Sequence, residues 1–219
     1  MNQILNFNDN SPNSSKKGYD FLKNYKTIFL FSIIICIISI IIYFFIRYNM
    51  DKNDKLSKEL ANNFSLSTLY SNSIGEYSTQ KLEEITTKRE PFVIGLIEIE
   101  KIKLIYPILS ETTTELLKLS PCRYVGPMPN EPGNLCIAGH NYVDNKLFSK
   151  LNILKNGDII KIYDLTGNCL QYSVFEIKEV PSTDTSCTSQ NNDNNRYVTL
   201  ITCNNVNGLR LIVKCKNIT

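Results

Sequence analysis

The sequence predicts an all-β domain, a barrel or sandwich of seven or eight short strands with short helices, preceded by one N-terminal transmembrane helix. Three observations carry this. Downstream of residue 92, short β-branched runs alternate with turn signals rich in Gly, Pro and Asn. Upstream, residues 27–46 (TIFLFSIIICIISIIIYFFI) contain no charge. Towards the end, Thr199-Leu200-Ile201-Thr202-Cys203 and Leu209-Arg210-Leu211-Ile212-Val213 flank the loop Asn204-Asn205-Val206-Asn207-Gly208. Two β-rich runs around an Asn-Gly loop form an antiparallel hairpin.

Composition narrows the function classes. The 219 residues hold one domain of ordinary size and some remainder. A net charge of +3 with no basic block argues against a nucleic-acid partner. Of seven cysteines, Cys36 lies in the apolar run and Cys203 at the end of a β-rich segment. The other five (Cys122, Cys136, Cys169, Cys187 and Cys215) stand at unrelated spacings with no C-x-x-C pair, and His140 is the only histidine. That pattern argues against zinc. A domain with its own core does not need a disulfide framework, so these are read mostly as free thiols, one disulfide being left open.

Residues 1–26 are a short polar tail, read as disordered. Residues 27–46 rise roughly 30 Å as a helix, the hydrocarbon thickness of a bilayer. No small-x-small cleavage site follows, so the run is an uncleaved signal anchor. Four basic residues flank it on each side (Lys16, Lys17, Lys23, Lys26 and Arg47, Lys52, Lys55, Lys58), so the flanking charge does not orient it. The tail is expected inside and the bulk outside, as for a lone anchor with a long downstream domain. Residues 47–91 form a polar stem, in which Leu56, Leu60 and Phe64 fall at the spacing of a short amphipathic helix. As flexible coil the stem would reach about 35–40 Å and hold the domain clear of the membrane.

The globular domain occupies residues 92–219. Strands are expected at 93–99, 102–108, 134–139, 159–164, 170–180, 197–202 and 209–214. Short helices are expected at 112–119 and 147–151. Dense turn segments lie at 126–133, 156–158 and 166–168, and residues 181–195 are a polar loop. Its acidic stretch from Asp184 to Asp193 lacks the regular oxygen spacing of a calcium loop and is read as solvated.

The chemistry gathers at strand ends. If Cys203 lies opposite Arg210 across this hairpin, both side chains share one face, as facing residues of a ladder do. A guanidinium beside a thiol favours thiolate and any oxyanion formed there. His140 ends the run 134–139, where alternation puts Cys136, Ala138 and His140 on one face. His and Cys together form the nucleophile and acid–base pair of thiol acyl transfer. A thiol hydrolase and a non-enzymatic, membrane-anchored binding module remain the alternatives at this point.

These residues carry a resemblance. Ile137-Ala138-Gly139-His140, Phe148-Ser149-Lys150-Leu151, Leu154-Lys155-Asn156-Gly157-Asp158, and Thr199-Leu200-Ile201-Thr202-Cys203 with Arg210 resemble a sortase over residues 92–216. Sortases are membrane-anchored cysteine transpeptidases of Gram-positive bacteria. The resemblance implies an eight-stranded β-barrel with the site at one rim. It implies Cys203 as nucleophile on an LPxTG-like sorting signal, His140 as acid and base, and Arg210 as the group that steadies substrate and oxyanion. Ala138 and Thr202 are implied to contact substrate. The implied partners are surface proteins bearing a C-terminal sorting signal, a peptidoglycan precursor or other amine acceptor, and the membrane, with no cofactor required. Ile99-Glu100-Lys101-Ile102 stands where many relatives have Ile-Pro-x-Ile. The 63-residue spacing from His140 to Cys203, with no long lid before His140, favours an A-like or D-like class.

Overall fold

The computed structural model describes residues 14–73, 92–142, 145–190, 194–204 and 208–218. By contacts the chain divides into two compact units, Met1–Asn49 and Met50–Thr219. In the first unit, helix α1 (Ser14–Ser73 as a whole) exposes every residue from 25 to 49. Among the described residues it is the one helix long and apolar enough to cross a membrane, with a peak mean hydropathy of 3.1. Helix therefore begins at Ser14, inside the tail that was expected to be disordered.

In the second unit the stem departs from the expected coil, because helix continues to Ser73. Lys55, Leu56, Lys58, Glu59, Leu60 and Ala61 are all good helix formers, and Lys58 pairs with Asp54 one turn earlier at 2.8 Å. An apolar stripe of this helix packs on the domain, on residues partly shifted from those read in the sequence. Ala61 and Phe64 are buried against Leu96, and Leu60 lies against Leu109, Leu119 and Cys122. Leu56 stays 43% exposed. The remainder of the stem, residues 74–91, lies outside the described residues.

Eight strands follow: β1 (Val93–Ile99), β2 (Leu104–Leu109), β3 (Cys122–Val125), β4 (Gly133–Ala138), β5 (Ile159–Tyr163), β6 (Cys169–Val180), β7 (Arg196–Cys203) and β8 (Arg210–Asn217). They close into a barrel in the order β1-β2-β3-β4-β7-β8-β6-β5, which settles barrel over sandwich. Among the described residues, only β2–β3 and β4–β7 pair in parallel. Strand β3 has no counterpart in the sequence reading: it is four residues long, and its alternation is broken by a register shift between Arg123 and Val125. The second helix, α2 (Thr114–Leu119), starts at Thr113, whose hydroxyl accepts the Leu116 N–H at 3.2 Å. The expected helix at 147–151 is instead a turn leading into one 3-10 turn, Leu151–Ile153.

The barrel interior is filled by Ile97, Ile99, Ile108, Ile137, Phe148, Leu151, Ile160, Ile162, Tyr172 and Leu200, all at most 1% exposed. Strand β7 shows why its sequence reads as a nearly continuous apolar run. Val198 and Leu200 point into the interior, while Thr199 and Ile201 are also buried, on the outer face. The β6–β7 loop covers that outer face. Cys187 packs there with Cys136, Val180, Ile201 and Ile212. Asn134 holds the loop through the Cys187 and Ser189 carbonyls at 3.0 and 3.1 Å, and Gln190 returns a bond to the Asn134 carbonyl at 3.0 Å.

All seven cysteines are free thiols. Cys215 is fully buried with Leu211 and Val213 in the interior, where burial pushes its thiol pKa up. Cys215→Ala is expected to cost about 1 kcal/mol in a denaturation experiment, the scale of one small core truncation, and to leave turnover per folded molecule unchanged. Loss of turnover in a folded Cys215→Ala protein would move the nucleophile away from Cys203.

Candidate active site

Cys203 is the last residue of β7, and its side chain is exposed. Strands β7 and β8 pair antiparallel with Cys203 directly opposite Arg210, so the two residues share one face of the ladder. The loop is closed by Asn204 N–H to the Leu209 carbonyl at 2.7 Å, and residues 205–207 lie outside the described residues. Arg210 also stands opposite Val180 on β6, so a strand flanks it on either side. It is half-buried at the edge of the apolar patch that Ile201, Ile212 and Cys187 form. The first described residues of β8 therefore hold a guanidinium across from the thiol. The facing position follows from backbone pairing and needs no side-chain contact.

His140 reaches the same rim by a different route. Strand β4 runs parallel to β7, pairing Ala138 with Ile201, and ends there. Three hydrogen bonds then fasten the exiting chain to the end of β7. Gly139 N–H donates to the Ile201 carbonyl at 3.0 Å, and the Thr202 hydroxyl donates to the Gly139 carbonyl at 2.8 Å. The Asn141 amide donates to the Cys203 carbonyl at 2.8 Å. His140 sits between the second and third of these bonds, so backbone geometry brings it to the thiol's end of the sheet. Gly139 cannot carry a side chain, since a Cβ would lie 2.7 Å from the ring of Phe148, which is fully buried. Phe148 N–H in turn donates to the His140 carbonyl at 3.0 Å.

The His140 ring is half-buried and lies 5.1 Å from the Tyr142 ring, tilted by 39°. Burial and the nearby Lys118 ammonium both disfavour imidazolium and hold its pKa below the ordinary value. The imidazole is therefore neutral near pH 7. Three other cysteines are the opposite of reactive: burial pushes Cys122 and Cys136 up to about 12 and raises Cys187.

Of the residues singled out in the sequence, Cys203, Arg210 and His140 lie at one rim. Ala138 is half-buried at the end of β4, beside them. Thr202 is 3% exposed and commits its hydroxyl to Gly139, which gives it a place in holding the two strand ends together. Strand alternation carries through Ala138 only; beyond it the hydrogen bonds to β7 place His140. Sequence reasoning passed over Asn141, Tyr142 and Lys118. Asn141 carried one signal, an amide next to the only histidine. Lys118, on a short helix distant in sequence, carried none.

Comparison with known proteins gives a consistent result. The family model for the sortase domain matches residues 97–218. A Clostridium perfringens sortase D5 transpeptidase is 31% identical over 76% of this chain and 100% of its own, with a TM-score of 0.63. Sortase A from Corynebacterium diphtheriae, a lid mutant, is 26% identical over 74% of this chain and 96% of its own, with a TM-score of 0.56. A Clostridium perfringens sortase C, solved with the C-terminal cell wall sorting motif, shares the fold at 24% identity and a TM-score of 0.57, over 71% of this chain and 98% of its own. Comparison with curated proteins gives no match. The matched span runs from β1 to the end of β8 and takes in both the histidine-bearing end of β4 and the Cys203–Arg210 pair, and on that ground the chain belongs to the sortase family of cysteine transpeptidases.

Proposed function

We propose that this sortase joins a surface protein bearing an LPxTG-like C-terminal sorting signal to an amine of a cell-wall precursor. The observation that carries the reading is the pairing of Cys203 with Arg210 at the rim where β4 delivers His140. Cys203 Sγ attacks the carbonyl carbon of the signal's Thr, and neutral His140 takes the thiol proton. The tetrahedral oxyanion forms on the Arg210 side. His140 returns the proton to the departing amine as the Thr–Gly bond breaks, leaving a thioester on Cys203. An incoming amine then attacks the thioester and gives its proton to His140. The sulfur leaves as the new amide forms and regains the proton. Thiol, imidazole and guanidinium suffice for this cycle, which draws on no cofactor.

The higher identity to the D5 enzyme than to the diphtherial sortase A supports the D-like side of the expected class. The apolar helix fits a single-pass anchor, and we place the tail inside and the catalytic unit outside. Protease added to intact protoplasts is expected to remove the chain beyond about residue 47 and spare the tail; a protected catalytic unit would reverse the orientation.

The reading is tested by incubating the enzyme with a sorting-signal peptide, with and without an added amine, and weighing the products. An amine-dependent ligated product and a thioester on Cys203 are expected. Cleavage whose product never incorporates the amine would make the protein a thiol hydrolase. The oxyanion role of Arg210 has its own test. Its planar fork gives two hydrogen bonds at once, which a lysine ammonium does not reproduce. Loss of an oxyanion donor costs about 2.7–4 kcal/mol. Arg210→Lys is therefore expected to fold normally, to react with a small thiol reagent, and to lose at least about tenfold in kcat/KM. Wild-type turnover would remove the oxyanion role from Arg210.

A further inference from the structure

We infer that Asp54 and Tyr106 are positioning residues for the His140 loop, so that the helix of the stem is a working part of the active site. This rests on His140 acting in acyl transfer, as proposed above.

Leu147 is 5% exposed and holds a left-handed backbone, with φ of +50°. That conformation costs a leucine on the order of 1–3 kcal/mol and persists only where surroundings enforce it. The residues that enforce it are two strands and a helix away in sequence. Leu147 N–H donates to the Tyr106 hydroxyl at 3.4 Å, and Tyr106 on β2 is itself 8% exposed. The same hydroxyl donates to Asp54 Oδ1 on α1 at 3.1 Å, while Lys58 holds Asp54 Oδ2 at 2.8 Å. A hydroxyl that donates to a carboxylate becomes a stronger acceptor, so Asp54 reinforces the longer bond to Leu147. One residue earlier, Lys146 pairs with Asp51 on the same helix at 2.9 Å. The helix thus grips two consecutive residues of the loop. It is itself fixed on the barrel by buried Ala61 and Phe64 and by the buried Ser57–Ser120 hydroxyl pair.

What the loop does next gives the grip its consequence. Leu147 forms a backbone bridge with Asn141, and Phe148 N–H holds the His140 carbonyl. Asn141 holds the Cys203 carbonyl. The path Asp54–Tyr106–Leu147–Asn141–Cys203 therefore runs from the stem helix to the nucleophile, with His140 attached beside it. Removing the Tyr106 hydroxyl orphans a buried N–H at a strained residue. The cheapest relief is for the loop to relax and carry His140 with it. A misplacement of about 1 Å in a reacting group costs up to about a hundredfold in rate.

The test uses the full chain, untagged, in detergent micelles. Tyr106→Phe is expected to lower kcat for amine transfer about tenfold or more, with KM for the peptide and alkylation of Cys203 by iodoacetamide within about twofold. Asp54→Ala should follow Tyr106→Phe, the double variant should be no worse than either, and Asp54→Asn, which keeps an acceptor oxygen, should restore most of kcat. His140 is the only histidine, so its ring Cε1 proton is a single resonance. Freed from its buried position, it should titrate at a higher pH in Tyr106→Phe than in the unaltered protein. If Tyr106→Phe fails to fold, Asp54→Ala carries the same readouts. Wild-type kcat with an unmoved histidine titration overturns the inference, as does a loss of activity that only tracks the folded fraction. Full activity in His140→Ala would instead remove the acyl-transfer reading, and the resonance would still report whether Tyr106 holds the loop.

Discussion

Cys203→Ala is expected to lower amine transfer by about four decades or more, the scale seen when a covalent nucleophile is removed, and to leave the fold intact. The side chain is exposed at the end of β7, so truncation leaves no cavity. The ladder to Arg210 is made by the backbone and does not depend on sulfur. Stability should therefore stay within about 0.5 kcal/mol in a thermal melt. No neighbouring thiol can substitute: Cys122, Cys136 and Cys215 are buried and hold their protons far above neutral pH. Mass spectrometry should find neither thioester nor ligated product with the variant. Residual ligation at a tenth of the normal rate would mean that another group does the attacking.

His140→Ala should be the second largest loss, about 10²–10⁴ in kcat/KM, the range for a positioned acid–base group. A pH dependence accompanies it. Burial and Lys118 depress the imidazole pKa, so the neutral imidazole, proposed as the base for the thiol proton, persists below the ordinary histidine range. Activity of the unaltered enzyme should fall on its acid side only as pH drops below about 6.5. Stability carries the same sign. Below about 6.5 the unfolded chain takes up the proton that the folded one refuses, so folding free energy is lost as pH falls towards the depressed value. In His140→Ala both acid-side effects should disappear. An alanine variant that retained the same acid limb in kcat/KM would assign that limb, and the base, to another residue.

Much of this was legible in the sequence, and the physical reason differs from element to element. The hairpin 196–217 was readable because two β-rich runs flank an Asn-Gly loop, but the loop length alone would have set Leu209 against Cys203, and the pairing itself sets Arg210 there. The apolar run before Cys203 reflects a strand buried on both faces, a pattern that needs no neighbour to be recognised. Strand β3 left too little alternation to see, being four residues with a register shift. The parallel pairing of β4 with β7 had no local signal, since parallel partners are far apart in sequence. That pairing, with Thr202 and Asn141, brings the histidine to the thiol. The docked stem was underestimated for a related reason. Three apolar residues at helical spacing say that a helix has a face, and only the tertiary structure shows that Leu60, Ala61 and Phe64 cover the barrel.

The strand order also bears on when the protein becomes reactive. Strand β7 is wedged between β4, which precedes it by some sixty residues, and β8, which follows it. The histidine's seat needs β7 and the arginine's needs β8, so the three residues come together only once the chain has been made through β8. Contacts so distant in sequence form slowly, after the costly closure of long loops. A nascent chain carries its cysteine without these partners through synthesis. Cys203 meets Arg210 only when the last strand docks, so the acyl transfer proposed here is coupled to completion of the barrel.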